Sequence, residues 1–217
     1  MNAFDLVVFD LDGTLVDSRR DLADSVNALL DERGAPPLPE GVIGAMVGDG
    51  AKQLVERAFA SAGIGDDGGA LARFLELYDA RLVVHTRPYD GMAAALEVIA
   101  GRGMKRAVFT NKPQAAANRV LAALDLARWF DAGVLGAEGT HPRKPDPAGL
   151  LWLVHEAGAD ISRALLVGDA SQDVETARRA GARVCVARYG FGFPTAEAIL
   201  DGTEILIDSP ADLPSKL

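Results

Sequence analysis

Four short apolar runs punctuate this chain, and each stops abruptly: Leu6 to Phe9, Arg106 to Thr110, Ala164 to Gly168 and Arg183 to Ala187. Runs of this length, rich in Val, Leu and Phe, read as strands buried on both faces. Helical patterns at Ala115 to Leu124, Ala148 to Ala157 and Asp173 to Ala180 fall between them. Such alternation predicts right-handed crossovers, hence a parallel sheet covered by helices on both sides. Ligands of such sheets sit beyond the carboxyl ends of the strands. The residues just after each run are therefore the ones to inspect for chemistry.

The alternation breaks between Asp17 and Arg87. Leu22, Val26, Leu29 and Leu30 recur at helical spacing, as do Leu54, Val55, Ala58, Phe59 and Ala62, and then Leu71, Phe74, Leu75, Tyr78 and Leu82. Gly and Pro clusters at Gly34 to Pro39, Gly48 to Gly50 and Gly63 to Gly69 separate these stripes. The expected architecture is α/β: a Rossmann-like core from residues 1–16 and 88–217, with residues 17–87 inserted as a small α-helical cap.

Composition narrows the class of function. With 49% hydrophobic and 24% charged residues over 217 positions, the chain has enough apolar material for a core and no excess that suggests a membrane. A net charge of -9 argues against nucleic acid or anionic lipid, which require a basic footprint, but not against small anions. No apolar run approaches the ~18 residues of a membrane helix, and the amino terminus lacks the basic and apolar regions of a signal peptide. Cys185, the one cysteine, lies in an apolar run and reads as a buried strand thiol. These features predict a cytoplasmic protein with no membrane or nucleic-acid partner, a monomer or homodimer.

The strongest chemical signal is Asp10, Leu11, Asp12, Gly13, Thr14 at the end of the first run. Two carboxylates two residues apart reach one crevice if the chain turns sharply, which Gly13 allows. A calcium loop is excluded, because the twelfth position from Asp10 is Asp21 rather than Glu. Thr110 and Asn111 follow the second run, Lys144 lies in the loop Arg143 to Asp146, and Asp169 and Asp173 follow the third. Taken singly, a helix cap, a solvated lysine or a first-turn acid explains each. Together they suit phosphoryl transfer. A carboxylate attacking a phosphate dianion meets repulsion of about 4 kcal/mol per charge pair at 4 Å and an effective dielectric of 20. Asp10, Asp169 and Asp173 offer hard oxygen ligands suited to Mg²⁺, and Lys144 adds a positive charge.

These residues resemble, in order, the four motifs of the haloacid dehalogenase-like superfamily: Asp10 to Leu15, Thr110 to Lys112, Lys144 with Pro145, and Gly168 to Asp173. The resemblance implies that Asp10 is a nucleophile forming an aspartyl-phosphate, and that Asp12 is a general acid/base whose backbone carbonyl also ligates Mg²⁺. It implies that Thr110 binds the phosphoryl group, Lys144 balances charge, Asp169 ligates the metal, and Asp173 supports it directly or through water. Within that superfamily an aspartate at position 12 implies a phosphatase or phosphomutase rather than a dehalogenase or ATPase.

Thr110 to Lys112, the string Val47 to Ala58 and the tail Arg188 to Gly192 are similar to phosphoglycolate phosphatases. The implied partner is a small phosphorylated metabolite, contacted by Thr110, Asn111, Lys144 and, from the inserted helices, Gly50 and Lys52. A plain helix amino terminus explains Gly50 and Lys52 equally well. One departure stands out: Asp49 occupies a position where Asn is expected, and a carboxylate there would disfavour an anionic leaving group. The alternatives are a sugar phosphomutase of the beta-phosphoglucomutase type and a non-catalytic member that binds a phosphorylated ligand. His85, His141 and His155 show no ligand partner at metal spacing and read as structural; Trp129 and Trp152 read as packing.

Overall fold

A computed structural model describes residues 3–66, 68–139 and 141–217. Its strands are β1 (Leu6–Phe9), β2 (Val16–Asp17), β3 (Arg87–Pro88), β4 (Lys105–Pro113), β5 (Val134–Ala137), β6 (Ala164–Gly168), β7 (Arg183–Ala187) and β8 (Ile205–Ile207). Its α-helices are α1 (Arg19–Glu32), α2 (Glu40–Gly44), α3 (Ala51–Ala62), α4 (Ala70–Asp79), α5 (Met92–Gly101), α6 (Gln114–Ala123), α7 (Ala148–Glu156), α8 (Ser171–Ala180) and α9 (Phe193–Glu197).

Six strands form one parallel sheet in the order β5-β4-β1-β6-β7-β8. Side chains of β1 alternate: Val7 and Phe9 join the apolar cluster on one face, with Leu96 of α5 and Val120 of α6, while Leu6 and Val8 join the other, with Leu153 of α7 and Val174 of α8. That period of two, apolar on both sides, is why the strands read as unbroken hydrophobic runs. The expected α/β architecture is what forms. The structure adds β5 and β8 and carries β4 on to Pro113, three residues past the predicted end at Thr110.

The insertion leaves the core through β2 and returns through β3, a two-stranded antiparallel ribbon pairing Val16 with Pro88 and Asp17 with Arg87. The buried Asp21 carboxylate staples this return by accepting hydrogen bonds from the amides of His85 (2.9 Å) and Thr86 (2.8 Å) and from the Thr86 hydroxyl (2.6 Å). Between the ribbon strands α1 packs against α2, α3 and α4. The first two predicted stripes are the inner faces of α1 and α3. The third ends early, because α4 stops at Asp79 and leaves Leu82 buried beyond it. The buried residues of these helices belong to the same apolar cluster as the α5/α6 face of the sheet. No helix among the described residues is long and apolar enough to cross a membrane.

Candidate active site

Strands β1 and β6 end side by side, with β4 beside β1 running on past Thr110 to Pro113, and this places Asp10, Asp169 and Thr110 at one edge of the sheet. The Asp10 amide donates to Val167 O at 2.8 Å, tying the end of β1 to β6. Beyond it Leu11 O accepts from Leu15 N (3.0 Å) and Val16 N (3.1 Å), while Gly13 turns at φ +87°, so the chain folds back and Asp12 faces the same crevice. A side chain at Gly13 would fall on Asp169 Oδ2, and one at Gly190 on the Asp169 Cβ, so Asp169 is walled by bare backbone. Gly192 N donates to Asp169 Oδ2 at 2.7 Å and the Thr14 hydroxyl to Oδ1 at 3.2 Å.

Asp173 is in the first turn of α8. Its Oδ2 reaches back to accept from Asp169 N (3.1 Å) and Ala170 N (3.0 Å), as an acid at this position does when it closes a helix start. Gly168 makes room for that reach, since a Cβ there would fall on the Asp173 carboxylate. Its Oδ1 accepts from Lys144 Nζ at 2.6 Å, and the same ammonium lies 2.9 Å from Asp10 Oδ1. The Asp10 contact is an ion pair without hydrogen-bonding geometry, which leaves Asp10 Oδ1 buried and without a hydrogen bond.

Asp10, Asp169 and Asp173 are all buried, with ligand oxygens within 4.8 Å of one another. Burial pushes Asp10 up to about 6; Lys144 opposes the rise and Asp173 adds to it. Burial, and then the charges of Asp10 and Asp173, hold Asp169 well above the usual carboxylate range. Burial alone would depress Lys144, but the carboxylates of Asp10 and Asp173 override it and keep the amine protonated. Three carboxylates face one ammonium, an excess of negative charge with hard oxygen donors that fits a small divalent cation.

A cavity of about 50 Å³ opens between this cluster and the insertion. Asp10, Asp12, Thr110, Asn111 and Gly50 line it; its insertion side is mostly apolar, with Leu22, Leu54, Phe74 and Leu75. The Asn111 side chain is committed to backbone groups. Its Nδ2 donates to Gly48 O (2.8 Å) and Lys144 O (3.0 Å), and its Oδ1 accepts from Lys144 N (2.9 Å). Lys52 is not in the lining: its side chain is 62% exposed and lies 3.7 Å from Glu56.

Asp49 does not line the cavity either. Its carboxylate pairs with Arg57 and accepts from Gln172, while Arg143 donates to its carbonyl at 3.3 Å. A carboxylate so neutralised, and turned from the cavity, is not placed to repel an anionic leaving group as the sequence alone suggests.

The sequence reading assigns no role to two residues of the site, although Lys112 stands in the motif Thr110 to Lys112. Lys112 Nζ donates to both oxygens of Asp12, at 3.0 and 2.9 Å, and to the hydroxyl of Tyr78 on α4. Tyr78 belongs to a helical stripe, where nothing in the pattern separates a packed ring from a packed ring with a working hydroxyl. Burial would lower Lys112, but Asp12 and Tyr78 raise it above its ordinary value; burial pushes Tyr78 up to about 12. No histidine has a ligand partner at metal spacing along the sequence, but in the fold one has acids beside it. The fold sets Asp21 and Asp24 beside His85, a proximity hidden by a sequence separation of over sixty residues, although the Asp21 carboxylate is already taken by the 85–86 backbone. His141 lies against Trp152, ring centroids 5.0 Å apart.

Known proteins align with this geometry. The model of the family described as haloacid dehalogenase-like hydrolase matches residues 7–187. A phosphoglycolate phosphatase of Rhodospirillum rubrum is 42% identical over 85% of this chain and 80% of its own length. An N-acetylmuramic acid 6-phosphate phosphatase of Pseudomonas putida is 34% identical over 95% and 93%. The crystal structure of a predicted phosphoglycolate phosphatase from Haemophilus somnus 129pt superposes with a TM-score of 0.90 at 30% identity, covering 100% of this chain and 99% of that one. The matched span runs from β1 to β7 and so takes in every carboxylate of the cluster. The chain belongs to the haloacid dehalogenase-like hydrolase family.

Proposed function

We propose that this chain is a Mg²⁺-dependent phosphatase that hydrolyses a small phosphate monoester through an aspartyl-phosphate at Asp10. The observation that carries this reading is the buried cluster of Asp10, Asp169 and Asp173 with Lys144 as its one ammonium, at the ends of adjacent parallel strands. Asp10, Asp169 and the backbone carbonyl of Asp12 would hold the cation, with Asp173 supporting them; when bound it neutralises charge on the carboxylates and the phosphoryl oxygens.

An Asp10 oxygen attacks phosphorus and the bond to the ester oxygen breaks. Asp12 gives its proton to the departing alkoxide. Asp12, now a carboxylate, takes a proton from water; the resulting hydroxide attacks the same phosphorus and frees Asp10 with release of phosphate. Lys144 offsets the repulsion between nucleophile and dianion, and the Thr110 hydroxyl orients a phosphoryl oxygen. Residues 17–87 act as a cap that excludes bulk water and selects the leaving group. The names of the relatives support phosphoglycolate as the first substrate to try.

The test is phosphate release across a panel of phosphate esters with Mg²⁺, alongside Asp10→Asn. Steady release from 2-phosphoglycolate by the wild type, and none by the variant, is expected. Equal activity of the two proteins on every ester would end the enzyme reading. Conversion of beta-glucose 1-phosphate to its 6-phosphate would replace it with a phosphomutase.

A further inference from the structure

Ser18 opens α1 as its amino-terminal cap, the position where a serine hydroxyl ordinarily binds a free amide of the first turn. Here it makes no such bond. The side chain is fully buried, and its hydroxyl donates instead to Asp12 Oδ1 at 2.6 Å. The reversal of the chain at Gly13 allows this, because it brings two residues six apart in sequence onto one crevice.

Asp12, which lines the cavity, is thus gripped unevenly. Its Oδ1 accepts from Ser18 and, at 3.0 Å, from Lys112 Nζ. Its Oδ2 accepts from the same ammonium at 2.9 Å and, among the described residues, from nothing else. Each carboxyl oxygen has about two lone-pair sites. Those of Oδ1 are both taken, and one on Oδ2 is open. The third N–H of Lys112 goes to the Tyr78 hydroxyl, so the buried ammonium cannot swing away without breaking a bond.

We propose that Ser18 and Lys112 are positioning residues for Asp12: by saturating Oδ1 they make Oδ2 the oxygen that carries the proton and gives it to the departing alkoxide. This rests on the phosphatase reading above and adds which atom of Asp12 works and what aims it. A proton on Oδ2 occupies the open site while Oδ1 keeps both its donors, so the carboxyl need not turn when the proton arrives or leaves. Tyr78 fixes the ammonium. Ser18 and Tyr78 both lie within the insertion, which therefore takes part in aiming the acid of the core.

The test exploits the leaving group. An alkoxide needs the proton, whereas acetate, the leaving group of acetyl phosphate, departs without one. Since kcat/KM covers the steps through departure, later hydrolysis of the aspartyl-phosphate does not enter it. Asp12→Asn sets the reference: its kcat/KM should fall further on the fastest alkyl ester of the panel above than on acetyl phosphate. Ser18→Ala should show the same bias, lowering the alkyl-to-acetyl ratio of kcat/KM by about tenfold, well within what a misplaced acid costs. Tyr78→Phe, which keeps the ring, should lower the ratio in the same direction by about threefold. General damage to the site slows both reactions and cancels in the ratio. Parallel losses on the two substrates in both variants, with the Asp12→Asn bias present, would make these contacts structural and overturn the proposal. Equal losses on the two substrates by Asp12→Asn, or no phosphate release from any alkyl ester by the wild type, would instead sink the phosphatase reading, and this inference with it.

Discussion

Asn111 and Lys144 are joined by a reciprocal pair of hydrogen bonds: Asn111 Nδ2 donates to Lys144 O at 3.0 Å, and Lys144 N donates to Asn111 Oδ1 at 2.9 Å. The side chain at the end of β4 thus stands in for a sheet partner and holds the backbone that aims Lys144 at Asp10. Asn111→Ala would strand a buried amide and two carbonyls, counting Gly48 O. Each such group costs about 1–3 kcal/mol, so the three cost at least about 3 kcal/mol, and at about 2–4 °C per kcal/mol for a chain of this size a drop in Tm of at least about 6–12 °C is expected. A thermal melt checks it, and kcat should fall with it because the ammonium loses its anchor.

The acidic cluster has a stability signature that depends on pH. Asp10 ionises at about 6 in the folded chain against an ordinary 3.8, chiefly because it is buried. Between those values the folded state holds a proton that the unfolded state has lost, so this carboxyl's contribution falls as pH rises through the window and stays low above it. Asp10→Asn removes the ionisation. In EDTA at pH 7.5 the variant should be more stable than wild type by up to about 3 kcal/mol, with the gain gone below about pH 4. Melts across pH read it; a gain that persists undiminished at pH 4 would point to packing instead.

Gly13 and Gly34 separate two costs of adding a methyl group. Both have positive φ, +87° and +67°, but a Cβ at Gly34 meets nothing within 4 Å while one at Gly13 falls on Asp169. Gly34→Ala should lose only the backbone penalty of about 1–2 kcal/mol, with activity intact. Gly13→Ala should lose more and abolish the Mg²⁺-induced rise in Tm, because Asp169 must move. Calorimetry with and without Mg²⁺ distinguishes them.

Cys185 lies at the centre of β7 with no exposed surface, and burial pushes its thiol up to about 12. Since the thiolate is the reactive species, native protein at pH 8 should resist iodoacetamide and label fully only in denaturant. Labelling followed by mass measurement shows which holds.

Much of this was legible before any coordinates. β1, β6 and β7 begin and end where their apolar runs do, because a strand buried on both faces must be apolar throughout. β5 and β8 left no such trace: Val134–Ala137 includes a glycine and Ile205–Ile207 is three residues long, too short for a pattern. β4 was cut short because Asn111 and Lys112 are polar, and polarity after an apolar run ordinarily means a loop. Here the two side chains are buried in the site instead, 6% and 5% exposed. The carboxylates were readable because each follows a strand. Tyr78 was not, since its hydroxyl meets Lys112 only through the packing of α4.

The ribbon of β2 and β3 has a consequence for how this protein can be altered. Asp17 and Arg87 are paired across it, so the chain departs from the sheet and rejoins it at a single place. Everything between is a branch that contributes no strand to the six-stranded sheet, although its buried side chains share the apolar cluster on the α5/α6 face, so a replacement must cover that face. Grafting a different helical branch between these two residues would exchange the wall holding Tyr78 while leaving Asp10, Asp169 and Lys144 untouched. The helical branch and the carboxylate cluster are thereby carried on segments that mutation can vary separately.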